Sequence, residues 1–277
     1  MKIMKYIVPA LLGGMLTLQS CEHFLDTKPT ETYSEELVWG SRSTADAFVL
    51  RTYPDILGLY HDFWGDDQIT LNTILRQSCP GEARDLINRE HDFGFNKFSI
   101  IRRCNLIIEQ ASASTALSDL DKKELVAEGK MLRAMIYYYQ AKHCGRVIWV
   151  DRVLQVDDEF NLPLTESIDR TYDLILSDLD DAIAGLPEEY PAVRANANAA
   201  RALKSEVCLT AAAYTTDATR KKTLWEQAVV AVDAIQGYSL DANYGGMFNQ
   251  ENSYSSTEII LARYFSKENT NGGDTYM

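Results

Sequence analysis

A chain of 277 residues, 46% hydrophobic and 24% charged, is long enough to bury a substantial core and too apolar to stay disordered. Forty acidic against 27 basic side chains give a formal charge of −13, which repels phosphate backbones and excludes nucleic acid as an expected partner. Neutral ligands such as sugars remain compatible with that charge.

The first segment bears on compartment. Lys2 and Lys5 precede an apolar run from Tyr6 to Leu18. As a helix it spans about 20 Å against roughly 30 Å of bilayer hydrocarbon, too short to cross a membrane and the right size for an export signal. The run closes on Leu18-Gln19-Ser20-Cys21: an aliphatic residue, a small residue, then Cys. Residues 1–20 are therefore expected to leave as a lipoprotein signal peptide and Cys21 to carry the lipid, each buried CH₂ adding about 0.8 kcal/mol to membrane anchoring. Residues 21–42 read as an extended tether, because Pro29 and a Thr/Glu/Ser mixture interrupt any apolar period. Residues 43–277 form the expected folded domain.

Helical periods dominate that domain. Ser43 or Thr44 is placed to cap a helix carrying Phe48, Thr52, Ile56 and Leu59, with Pro54 kinking or shortening it. Residues 60–96 are irregular, broken by Gly65, Pro80, Gly81 and Gly94, and so long an insertion between helices suggests a functional loop. A helix over 97–111 follows, then one from Asp119 or Asp121 through His143, stopped by Gly145. Residues 147–150 form a short apolar extended piece. Further helices are predicted over 166–185, from Asn196 or Asn198 to Tyr214, and from Thr223 to Gly237; residues 258–265 look strand-like. The sum is a mainly α fold of antiparallel, tetratricopeptide-like helix pairs with long loops and minor strand content.

Cys79, Cys104, Cys144 and Cys208 are too widely spaced for a disulfide framework. With no C-x-x-C and with scattered histidines, no structural zinc, other metal or cofactor is expected. Cys104, Cys144 and Cys208 read as buried thiols, with pairing left open.

Several short patterns then fall in a telling order. Cys21-Glu22-His23-Phe24-Leu25-Asp26 runs on to Pro29; Arg103-Cys104-Asn105 is followed by Ile107-Ile108-Glu109; Leu132-Arg133-Ala134 leads to Tyr137-Tyr138-Tyr139 and Gly145. Asp178-Leu179-Asp180-Asp181-Ala182 precedes Leu186-Pro187, and Trp225, Ala228, Tyr238, Leu240, Tyr244 and Phe248 precede Glu258-Ile259-Ile260. The ensemble resembles the SusD/RagB family of nutrient-uptake outer-membrane lipoproteins. It departs from the family's Gly-Asp-Val-Pro turn at Gly145-Arg146-Val147-Ile148, and family members continue further beyond this point. A helical layer left without a partner, with apolar surface exposed, is the expected consequence.

The resemblance implies a surface-exposed, lipid-anchored outer-membrane protein that captures oligosaccharide or polysaccharide and delivers it to a TonB-dependent SusC-like transporter, with no catalysis. Sugar sites pair flat aromatic faces with carboxylates, amides and arginine. Tyr60, Phe63, Trp64, Asp66, Asp67 and Arg76 are the cluster of that composition, although Phe63 and Trp64 would equally suit packing. Tyr137 to Tyr139, Trp149 and Trp225 read as core, Asn105 as a buried amide bonded to backbone, Arg133 as the partner of a buried carboxylate, and Asp178, Asp180 and Asp181 as a solvated face. The alternatives are a surface glycoside hydrolase, which needs two flanking carboxylates, and a helical-repeat scaffold that binds only protein. The absence of G-x-S-x-G, H-E-x-x-H, P-loop and G-x-G-x-x-G patterns weakens the enzyme reading.

Overall fold

The computed structural model describes residues 35–60, 96–190, 193–248 and 256–264, with Glu35, Tyr60, Met247 and Phe248 defined by their backbone alone. The chain divides into two compact units, Met1–Val38 and Trp39–Met277. The first is represented by one short helix, α1 (Glu35–Val38). Part of the predicted extended tether is therefore helical, and Cys21 with the rest of the leader lies outside the described residues. Within the second unit Trp39 is already buried, its ring edge-on to Phe48 at 5.5 Å, so residues 39–42 belong to the fold and not to a tether.

Five of the described helices begin where a short polar side chain satisfies an orphan amide, whereas Lys97 ahead of the helix that starts at Phe98 makes no such bond. Ser41, not Ser43 or Thr44, caps α2 (Arg42–Leu50), its Oγ accepting from the Thr44 N–H at 3.3 Å. Pro54 does not kink a long helix; it sits in the first turn of a separate α3 (Tyr53–Tyr60), where its missing N–H costs nothing. Next come α4 (Phe98–Ala113) and α5 (Asp119–Cys144), the latter capped by Ser118 and closed by Gly145 at φ +72°. Ser167 opens α6 (Ile168–Gly185), and Asn196 opens α7 (Ala197–Tyr214) by accepting from the Ala199 N–H at 2.8 Å. Asp217 caps α8 (Ala218–Asp233), one turn ahead of the predicted Thr223 start, and a 3₁₀ turn spans Tyr244–Phe248.

No strand occurs among the described residues, which corrects the expected minor strand content. Residues 147–150 are extended but paired only through isolated bonds such as Thr165 N–H to Val147 O at 2.8 Å, and residues 256–264 are bends and turns. None of the described helices is long and apolar enough to cross a membrane.

Helix α5 is the axis of the unit, buried along most of its length. Contacts with its neighbours descend one helix as they climb the next. Asn105 and Ile108 of α4 meet Arg133 and Gly129 of α5; Arg133, Lys130 and Ala127 of α5 meet Asp178, Asp181 and Gly185 of α6. Asp169 and Asp180 of α6 then meet Thr215, just past the end of α7, and Lys204 within it, while Asn198 and Cys208 of α7 meet Gln236, just past the end of α8, and Gln227 within it. Two glycines set how closely these layers approach. A Cβ on Gly129 would stand 2.8 Å from Ile108 Cγ1, and one on Gly185 would stand 2.5 Å from the Ala127 Cβ.

The core is aliphatic and tyrosine-rich, with Tyr137, Tyr138 and Tyr172 fully buried and Tyr139 half-buried. Trp149 is half-buried and stacked on Tyr137 at 4.2 Å. Trp225, expected in the core, is 52% exposed and shares an outward stripe of α8 with Val229 and Val232. The buried face of α8 is instead Leu224, Ala228 and Ala231, about 100° round the helix from the stripe that carries Trp225.

Candidate functional site

The cluster singled out from sequence falls at the edge of what is described. Phe63, Trp64, Asp66, Asp67 and Arg76 lie outside the described residues, as does the side chain of Tyr60. The two helices that flank this segment are described. Asp55 of α3 and Arg103 of α4 form an ion pair at 2.8 Å, five residues before Tyr60 and five after Phe98, so the flanking helix ends are cross-braced. Arg51 at 3.4 Å adds a second cation, and the two hold the Asp55 carboxyl below its ordinary range against the upward pull of burial.

Behind this frame a strap over 147–153 is fixed to α4 and α5 by buried polar groups. Asn105 donates through Nδ2 to the Val150 and Arg152 carbonyls, both at 2.9 Å. Tyr137 Oη accepts from the Val150 N–H at 2.7 Å, and Glu109 accepts from the Val153 N–H at 2.7 Å. Arg133 completes the arrangement. Its guanidinium makes a two-pronged pair with Asp178 at 2.7 and 2.8 Å, donates to Asn105 Oδ1 at 2.8 Å and to the Asp151 carbonyl at 3.1 Å, and lies over the Trp149 ring. Asn105 and Arg133 thus take the roles read from sequence. Asp178 does not: it is buried, not part of a solvated face, because it pairs with Arg133 inside the α5–α6 seam, while Asp181 meets Lys130 of α5 at the exposed edge of that seam and Asp180 meets Lys204 of α7.

A second polar node was invisible in the sequence. Glu128, fully buried in α5, accepts from Arg194 Nε at 2.8 Å and Nη2 at 2.6 Å and from the Tyr53 hydroxyl at 2.5 Å. Arg194 also reaches Asp46 at 2.6 Å, and Arg42 pairs with Asp46, Asp121 and Glu124, each at 2.8 Å. Nothing marks Glu128 among 40 acidic residues; only its position between Ala127 and Gly129 on the face that meets other helices distinguishes it.

Of the thiols, Cys104 and Cys208 are buried as expected, whereas Cys144, at the last position of α5, is exposed. Among the described residues no group of three or more His, Cys, Asp or Glu is arranged to hold a metal ion.

The described surface has two concavities of note. A polar groove of about 590 Å³ between α6 and α8 is lined by residues including Asp173, Ser177, Asp180, Arg220, Thr223 and Gln227. Its charges are largely self-compensated, since Asp173 pairs with Arg220 at 2.7 Å, Asp180 pairs with Lys204, and Asp217 is occupied as the α8 cap. An apolar cavity of about 360 Å³ lies between the start of α4 and the strap.

Part of this arrangement is similar to a known family. The family model described as "Starch-binding associating with outer membrane" matches residues 87–209, which hold α4, α5, α6 and most of α7 with the strap between. Over that span the chain is similar to SusD/RagB-like proteins. It is 25% identical over 172 residues to a SusD-like protein of Bacteroides ovatus, covering 60% of this chain and 31% of that one. It is 24% identical over 294 aligned positions to SusD-like protein P25 of Formosa agariphila, covering 97% and 53%. The crystal structure of a SusD-like protein from Bacteroides fragilis superposes with a TM-score of 0.52 at 30% identity, covering 61% and 33%. This SusD-like chain therefore spans about half or less of the length of the curated relatives it matches. The residues that carried the sequence resemblance, Asn105, Arg133 and Tyr137, are those that bind the strap to the helices.

Proposed function

We propose that this SusD-like chain is a non-catalytic glycan-binding lipoprotein of the outer-membrane surface, held by lipid on Cys21, that captures oligosaccharides and delivers them to a TonB-dependent SusC-like transporter. The observation that carries the reading is the match of residues 87–209 to a family described as starch-binding and associated with the outer membrane. Its helices act as a tetratricopeptide-like stack of antiparallel pairs, a rigid frame from which loops meet the ligand. Of those loops, residues 60–76 have the composition that sugars select: Tyr60, Phe63 and Trp64 offer flat faces to a pyranose, and Asp66, Asp67 and Arg76 offer hydrogen bonds to its hydroxyls.

The test is a polysaccharide panel run by affinity electrophoresis on the chain from residue 21 onward, with calorimetry on any hit. Trp64→Ala is expected to weaken binding at least tenfold with an unchanged circular dichroism spectrum. Unaltered affinity removes the loop from the site, and release of reducing ends from any polysaccharide removes the non-catalytic reading.

A further inference from the structure

We propose that the apolar cavity beside the start of α4 is a second binding site, for a small amphipathic carboxylate whose apolar body enters the cavity and whose anionic end meets Arg102. This goes beyond the glycan reading and does not depend on it. The walls are Phe98 and Ile101 of α4, Ile148 and Val150 of the strap, and Phe160 and Leu162 of the segment that follows it. Its volume of about 360 Å³ is at the lower end of the range for small-molecule pockets, enough for one ring or a medium-length alkyl chain.

Three observations converge on the ligand class. The first is the wall: apart from Ser99 and the two arginines its side chains are aliphatic or aromatic, so most hydroxyls of a sugar would enter without a partner, and each of those would cost free energy. The second is Phe160, which stands 63% exposed at the edge of the cavity, a large apolar surface that an apolar guest would cover.

The third is the pair of arginines that line it. Arg152 is neutralised, its two terminal nitrogens on Asp158 at 2.7 and 2.9 Å, a contact that pulls the Asp158 carboxyl down to about 2. Arg102 is not. It is exposed, one Nη1–H is held by the Leu154 carbonyl at 2.6 Å, and among the described residues it makes no ion pair. A guanidinium carries five N–H donors, so an anchored Arg102 keeps donors for a carboxylate. In a chain of net charge −13, an uncompensated cation beside an apolar cavity is a specific attractor for an anion with an apolar body.

The experiment is titration calorimetry on the chain from residue 21 onward, with Cys21→Ser so that no acyl chain competes. The probes are 4-phenylbutyrate and octanoate, each paired with its neutral alcohol. Saturable one-to-one binding of the acids is expected, at least tenfold tighter than that of the alcohols. Arg102→Gln should weaken the acids tenfold and leave the alcohols unchanged, whereas Phe160→Asp should weaken both. Both residues are exposed, so neither variant threatens the fold; in the unmutated chain, added salt should in addition weaken the acids alone. Equal affinity for acid and alcohol, indifference to Arg102→Gln, or no saturable binding of either probe overturns the proposal. Because the probes contain no sugar, none of these results bears on glycan binding, and a failed polysaccharide panel leaves this site standing.

Discussion

Arg133 shows how much of this fold depends on single polar side chains. It and Asp178 are both almost fully excluded from water, and burial pulls the two in opposite directions: it favours the neutral form of each, while each charge favours the ionised form of the other. Removing one partner strands the other. Arg133→Ala should therefore destabilise by about 3–5 kcal/mol in urea unfolding, far more than loss of an exposed pair such as Lys222–Glu226. The double variant with Asp178→Ala should recover part of that loss, because no unpaired charge then remains buried. The thiols provide a second test at this scale. Burial pushes the Cys104 thiol up to about 12 and that of Cys208 up to about 11, which removes the reactive thiolate at neutral pH. Alkylation of the native protein followed by peptide mapping should label Cys144 and spare Cys104 and Cys208 until denaturant is added; early labelling of Cys104 would contradict the packing of α4 on α5.

At the scale of elements, spacing between helices rests on small residues. Gly185 ends α6 against Ala127, and the Lys123 carbonyl lies 3.2 Å from where a Cβ would stand. Gly185→Ala should cost about 1–3 kcal/mol by overpacking, and Ala127→Gly in the same chain should return most of it, read as a shift in melting temperature. Helix existence was legible in the sequence because period, cap and stop agree: Ser118 and Gly145 bracket α5, and Asn196 opens α7. What was not legible turned on competition between equal candidates. Ser41, Ser43 and Thr44 are all capping residues, and Trp39 burying against Phe48 favours the earliest. Trp225 belongs to an apolar stripe as clear as any in the chain, and a stripe does not say which neighbour it meets. Asp178 reads like Asp180 and Asp181 until α5 supplies Arg133 opposite. The loop cluster from Tyr60 to Arg76 was visible by composition, whereas Arg102 and Phe160 were not, since the wall they share is assembled from segments over 50 residues apart.

At the scale of the second unit, the node around Glu128 and Arg194 joins α2, α3, α5 and the turn before α7. The guanidinium groups of Arg194 and Arg42 hold the Asp46 carboxyl below its ordinary value of 3.8 despite burial, and Arg42 with Ser118 does the same to Asp121. For a carboxylate whose value is lowered on folding, the stabilisation is complete above the unfolded value and vanishes as pH falls through the folded one. The hold on α2 should accordingly be intact above about pH 4 and fade below it, and hydrogen exchange should show α2 amides losing protection in acid before those of α5. Simultaneous loss in both helices would mean that the node does not control α2. An Asp46→Asn variant should have weaker α2 protection at neutral pH and a flatter response to acid.

The same node sets an order of events. Asp46 and Arg194 are 148 positions apart, as are Arg42 and Tyr190, so most of the described chain must exist before the node closes, although Asp55–Arg103 and Arg42–Asp121 join nearer parts of the chain. A polypeptide emerging from its amino end can dock α2 and α3 on α4 and α5, but Glu128 and Asp46 stay without Arg194 until the turn ahead of α7 arrives. Closure of that long loop is late and entropically costly, and during the wait the seam of α2 and α3 with α5 carries carboxylates still lacking the Arg194 guanidinium.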